Sequence, residues 1–202
     1  MTTTIILARH GATAANLEDR FAGRSAEPLH QKGRDQLHLV ADKLRATPLT
    51  GGIVCGPLPR TRESAEIVGR ELGVEVRSDE RFNEIDIPHW DGLTKTELRQ
   101  RFGPEYPTWL ESPERFSLPG CETLAQVRAR AVAGLEELFA TQAGRTTLVI
   151  SHLIVVRCLL LHYRGLELAD FRSIKIDNAA LTCLWREEDG VTSVAALEQA
   201  KY

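Results

Sequence analysis

The sequence predicts an α/β fold, a mostly parallel central sheet carrying helices, on three observations. Short apolar runs at Ile5-Ile6-Leu7-Ala8, Ile53-Val54-Cys55 and Thr147-Leu148-Val149-Ile150 read as buried parallel strands. Segments with helical spacing lie between them. Two of the strands run into a histidine, at Arg9-His10 and at Ser151-His152. That pattern sets both imidazoles at one carboxyl edge of the sheet, where open α/β folds bind ligands. With 202 residues, 43% apolar and 26% charged, the chain suits one folded domain spanning 1–202.

The first strand ends in a guanidinium (Arg9) and an imidazole (His10), and Gly11 then lets the backbone turn or approach a ligand. Arginine suits a phosphate because its planar fork donates two parallel hydrogen bonds, and a neutral histidine can attack phosphorus or pass a proton. Read alone, the pair could equally well just punctuate a strand. Residues 17–32 are polar and form a loop that holds Gly23, Arg20 and Arg24; both arginines could face a ligand mouth, but Arg24 reads rather as a solvated surface charge. Leu37, Val40, Ala41 and Leu44 give the next helix its apolar face.

After Ile53-Val54-Cys55, the turn Gly56-Pro57-Leu58-Pro59 opens a helix with Ala65, Ile67, Val68 and Leu72 inward and Gly73 as its cap. Arg60 and Arg62 stand in its first turn, the wrong end for a cation unless an anion lies beside it. Val74-Glu75-Val76 reads as a third strand. The stretch from Phe82 to Gly92 mixes Glu84, Asp86 and Asp91 with apolar residues, a setting that can raise a carboxyl pKa. Each of these acids taken singly is more often a loop residue facing water.

Residues 93–119 hold a short helix, Thr94 to Phe102, and then four prolines with Trp109 and Phe116, an irregular lid-like insertion. A long helix runs from Glu122-Thr123 to about residue 141, and an apolar helix from Leu153 to Tyr163. The tail reads as strands at Ile174-Lys175-Ile176, Leu181 to Trp185 and Val191 to Ala195.

Net charge is −3, so no global basic field invites nucleic acid or anionic lipid, and an anionic ligand must be held by local cations. No membrane span or signal peptide is expected. The four cysteines show no metal-ligand or disulfide spacing, which suits a cytoplasmic protein; Cys158 and Cys183 read as buried.

Arg9-His10-Gly11 with Thr13 and Asn16 resembles the signature of the histidine phosphatase superfamily, also called phosphoglycerate mutase-like. The resemblance continues through Gly23, Pro28-Leu29, Gly33 and Gln36, then Pro57-Leu58-Pro59-Arg60 with Ala65. It goes on through Phe82-Asn83-Glu84-Ile85-Asp86 with Trp90-Asp91-Gly92, Pro119-Gly120-Cys121-Glu122 and Ser151-His152. It runs from residue 4 to Asn178. Four positions depart from the family pattern: Gly56 replaces a serine, Ala26 an acid, Pro88 a glycine, and Leu153 the glycine after the second histidine.

The resemblance implies a three-layer α/β/α sandwich and a metal-independent phosphomonoesterase that needs no cofactor. His10 would be the nucleophile, forming a phosphohistidine. Arg9, Arg60 and His152 would clamp the phosphoryl oxygens, and Glu84 would be the general acid. Asn16, Gly23, Thr13 and Leu153 would line the substrate site. The partner would be a small phosphorylated metabolite, with a homodimer left open. Two alternatives stand beside this reading. One is a cofactor-dependent phosphoglycerate mutase, which usually carries a longer insertion than 93–119. The other is a catalytically weak phosphate-binding or regulatory module, kept open by Gly56 and Leu153.

Overall fold

The computed structural model describes residues 1–196. Six strands form one sheet: β1 (Thr3–Arg9), β2 (Ile53–Cys55), β3 (Val76–Ser78), β4 (Thr146–Ser151), β5 (Leu181–Arg186) and β6 (Thr192–Ala196), in the order β3-β2-β4-β1-β5-β6. The first four are mutually parallel, while β5 and β6 run antiparallel at one edge.

Alternate residues of β1 face opposite layers. Ile6 and Ala8 pack with α2 (Gln31–Leu44) and α3 (Pro59–Leu72). Ile5 and Leu7 face α6 (Leu124–Thr141) and α7 (Leu153–Tyr163). The result is the expected three-layer sandwich. Cys158 and Cys183 are buried in its two cores.

Register decides where the chemistry sits. Arg9 pairs with Ser151 across β1 and β4, so the residues just past the two strand ends, His10 and His152, become neighbours.

Several local expectations need correction. Ile174-Lys175-Ile176 is no strand. Its alternation comes from Ile174 and Ile176 packing into the core, while their carbonyls accept from Arg157 and Arg9 side chains in place of a neighbouring strand. β3 begins at Val76 because the Val74 N–H is still closing α3 onto the Gly69 carbonyl. A four-residue helix, α1 (Ala14–Leu17), interrupts the first loop.

The insertion contains α4 (Lys95–Arg101) and a second helix, α5 (Glu105–Glu111), that the prolines concealed. Pro107 sits in the first turn of α5, where its missing N–H would have had no partner within the helix. Trp90 anchors the insertion, with the rings of Phe102, Tyr106, Trp109 and Phe116 centred 4.9–6.0 Å away. No helix of the described residues is long and apolar enough to cross a membrane.

Candidate active site

His10 and His152 meet edge to face, with ring centroids 5.3 Å apart. Each follows a strand end that the sheet holds rigidly, and the His10 N–H donates to the Ser151 carbonyl at 2.9 Å. Nδ1 of His10 lies 2.7 Å from the Gly11 carbonyl. A carbonyl can only accept, so Nδ1 carries the proton and Nε2 keeps its lone pair. Burial, reinforced by Arg60 and Arg9, holds the His10 pKa well below the ordinary histidine value. His152 is held down in the same way, by burial first and then by Arg60. Both rings are therefore neutral near pH 7.

Two arginines share this edge, Arg60 buried and Arg9 half-buried. Arg60 is 1% exposed, and its Nη1 and Nη2 donate to the carbonyls of Ser25 (3.0 Å) and Gly23 (2.5 Å). Arg62, two residues on, is exposed, so the helix register separates the two. Arg9 donates from Nη1 to the Ile176 carbonyl at 2.9 Å, and burial pulls its pKa down to about 10. Nε of both arginines and both ring nitrogens of His152 are buried with no partner among the described residues. Buried polar groups are nearly always hydrogen-bonded, so such a concentration of unpartnered polar atoms makes this edge the candidate binding position.

Glu84 is 7% exposed, and burial raises its pKa against the opposing pull of the Ile85 N–H and of Arg60. Its Oε1 accepts from that N–H at 2.9 Å. Asp91 is raised too, to about 6 and mainly by burial, so it resembles Glu84 electrostatically.

The remaining expected residues play varied parts. Gly23 adopts φ +46°, the left-handed region that favours glycine, and a Cβ there would also displace the Asp91 carboxylate, so glycine suits the turn that offers this carbonyl to Arg60. Thr13 is fully buried, and its hydroxyl caps α1 by accepting from the Asn16 N–H. The Asn16 Oδ1 accepts from the Thr13 N–H and from Nδ2 of Asn178. Leu153 opens α7, and its side chain packs, partly buried, against the larger core cluster.

Arg24 is no solvated charge. Its Nε donates to the Glu84 carbonyl at 2.9 Å, and its guanidinium pairs with Asp86 and Glu122, each at 3.3 Å. Sequence reasoning missed it because loop residues carry no periodicity. Ser64 was also missed: its Oγ receives the Gly11 N–H at 3.2 Å and donates to the Arg60 carbonyl. Its signal was available, since it stands four residues after Arg60 on one helix face. Asn178 donates to the His10 carbonyl at 3.1 Å, and the adjoining Ala179 is held at φ +60° by bonds from its N–H to the Arg9 and His10 carbonyls.

The family model described as histidine phosphatase superfamily (branch 1) matches residues 5–198. The chain belongs to that superfamily. A relative named phosphoserine phosphatase 1, from Hydrogenobacter thermophilus, is 30% identical over 184 residues, covering 91% of this chain and 87% of its own. A probable phosphoglycerate mutase GpmB from Yersinia enterocolitica is 29% identical, covering 97% and 91%. Among solved structures, Bacillus stearothermophilus YhfR superposes with a TM-score of 0.92 at 27% identity, covering 98% of both chains. Membership with such relatives supports a phosphatase or mutase activity.

Proposed function

We propose that this histidine phosphatase superfamily member is a phosphomonoesterase acting on a small phosphorylated metabolite through a phosphohistidine, without a metal ion in the transfer. The His10 tautomer is the observation that supports this reading most. With Nδ1 bonded to the Gly11 carbonyl at 2.7 Å, the lone pair available for attack is on Nε2, beside His152.

Nε2 of His10 attacks phosphorus in line, the P–N bond forms and the P–O ester bond breaks. Arg9, Arg60 and His152 hold the three non-bridging oxygens with donors already in place, which matches charge as it develops. The Asn16 amide can add a neutral donor. Burial raises the Glu84 pKa, which favours the protonated form, and Glu84 gives its proton to the leaving oxygen. The resulting carboxylate then takes a proton from water as the water attacks the phosphohistidine. The P–N bond breaks, its electrons return to the imidazole, and inorganic phosphate leaves.

Phosphoserine and 3-phosphoglycerate head the substrates to try, given the names carried by the relatives at 29–30% identity. The test is a metabolite panel scored for phosphate release, with interconversion of 3-phosphoglycerate followed in parallel. After brief reaction and rapid quench, acid-labile, base-stable phosphate is expected on the wild type and not on His10→Ala. Label retained by His10→Ala defeats the assignment. Interconversion faster than phosphate release would make the protein a mutase.

A further inference from the structure

Glu84 stands in a segment, 83–87, that has neither helix nor strand, so no ladder holds its backbone. Its carbonyls must be bonded some other way if they are not to be left unpaired. Side chains from distant elements take them. Arg130, in the second turn of α6, donates from Nη1 to the carbonyls of Arg81 (2.8 Å) and Asn83 (2.6 Å), and from Nη2 to that of Glu84 (3.1 Å). Its Nε and Nη2 also grip Glu122, at 2.6 and 2.9 Å.

Glu122 bonds the other flank of the segment. Its Oε2 accepts from the Asp86 N–H at 3.2 Å, and its own N–H donates to the Asp86 carbonyl at 2.8 Å. The Phe82 carbonyl is tied to the end of β4 by Oγ of Ser151 at 2.7 Å. Glu84 is thus flanked on both sides by backbone that the Glu122–Arg130 pair fixes to the long helix, while Arg24 shares both Glu122 and the Glu84 carbonyl.

We propose that Glu122 and Arg130 are positioning residues for Glu84, aiming its carboxyl at the leaving oxygen. The role rests on reading Glu84 as the proton donor. Arg130 makes five bonds in a planar fork, a geometry that lysine cannot reproduce. Misplacing a catalytic group by about 1 Å costs roughly 100-fold, so a clamp of this kind bears on turnover without touching substrate. The effect should also be selective. A poor alkoxide leaving group needs the proton, whereas p-nitrophenolate leaves well without it.

The test compares glycerol phosphate with p-nitrophenyl phosphate for Arg130→Met, Arg130→Lys, Glu122→Gln and Glu84→Gln. Arg130→Met is expected to lower kcat/KM for glycerol phosphate roughly 100-fold. The nitrophenol burst rate should change by less than about 3-fold, since that ester needs no proton donor. Arg130→Lys should recover part of the loss. Placed in the Glu84→Gln background, Arg130→Met should cost little more, because the group it aims is already gone.

Equal losses on both esters, or full additivity with Glu84→Gln, overturns the proposal. Should Arg130→Met fail to fold, Arg130→Lys and Glu122→Gln carry the same ester comparison, and an unselective loss in both rejects the role. If Glu84→Gln itself shows no ester selectivity, the proton-donor reading falls first and the positioning role falls with it.

Discussion

A Cβ on Gly56 would lie 3.1 Å from Nε2 of His152 and 2.6 Å from the Phe82 carbonyl oxygen. The Phe82 carbonyl is the one that Ser151 holds, so β2, β4 and the Glu84 segment converge on a point with no room for a side chain. Gly56, where the family resemblance expects a serine, thus stands where a Cβ has no room, beside the Phe82 carbonyl that the Ser151 hydroxyl already bonds. Gly56→Ala should cost about 1–3 kcal/mol, because a backbone oxygen cannot swing aside as a flexible side chain can. Melting temperature and kcat/KM should fall together, the latter alike on every ester as His152 is displaced. An unchanged melting temperature would mean that the contact opens freely.

Arg60→Ala should lose about 3–4 kcal/mol of transition-state binding, the scale of removing a preorganised charged donor. Arg62→Ala, at an exposed position on the same helix, should stay within about 0.5 kcal/mol. Kinetics on one ester, read beside thermal melts of both variants, separate binding from folding. Comparable kinetic losses would contradict the geometry of α3.

The strand ends were legible because an apolar run that halts at Arg9-His10 or Ser151-His152 combines burial and chemistry in adjacent residues. Arg60 was legible too, through a charge set at the unfavourable end of a helix. Arg24, Glu122 and Arg130 belong to a different kind of structure. Arg24 and Arg130 bond backbone carbonyls up to 60 residues away, and the Glu122 carboxylate takes the Asp86 N–H; backbone groups have no letter in a sequence. Glu122 was visible as a motif position, yet its bond to Arg130 becomes apparent only when α6 is packed. Ile174 and Ile176 misled for the converse reason. Alternation reports burial of one face, and pairing is a separate matter that side-chain donors settled here.

If Leu153 lines the substrate site as the family resemblance implies, Leu153→Gly should keep kcat/KM on the native substrate within about 10-fold while bulkier esters gain, since one side chain at a pocket wall is worth roughly 1–3 kcal/mol of discrimination. The side chain is partly buried against the core, so some stability should be lost as well. A wild type that turns over nothing, with activity appearing only in Leu153→Gly, would favour the phosphate-binding module over the enzyme.

Asp91 and the two histidines should leave opposite marks on stability as pH changes. His10 and His152 are held neutral by burial, so below about pH 6.5 the unfolded chain binds protons that the folded chain does not, and acidification destabilises. For Asp91 the order reverses. Its carboxyl titrates at about 6 when folded and at about 3.9 when unfolded, so ionising it costs the folded state. The penalty is absent below about pH 4, grows between about 4 and 6, and is complete above 6. Two units correspond to about 3 kcal/mol at most, and partial solvent screening reduces this to about 1–2 kcal/mol. Asp91→Asn removes the penalty without touching the histidines. The variant should therefore melt higher than wild type at pH 7.5, with the gap closing toward pH 4.5. A gap of constant size, or one that widens on acidification, would show that the Asp91 carboxyl is ionised in the folded protein throughout this range.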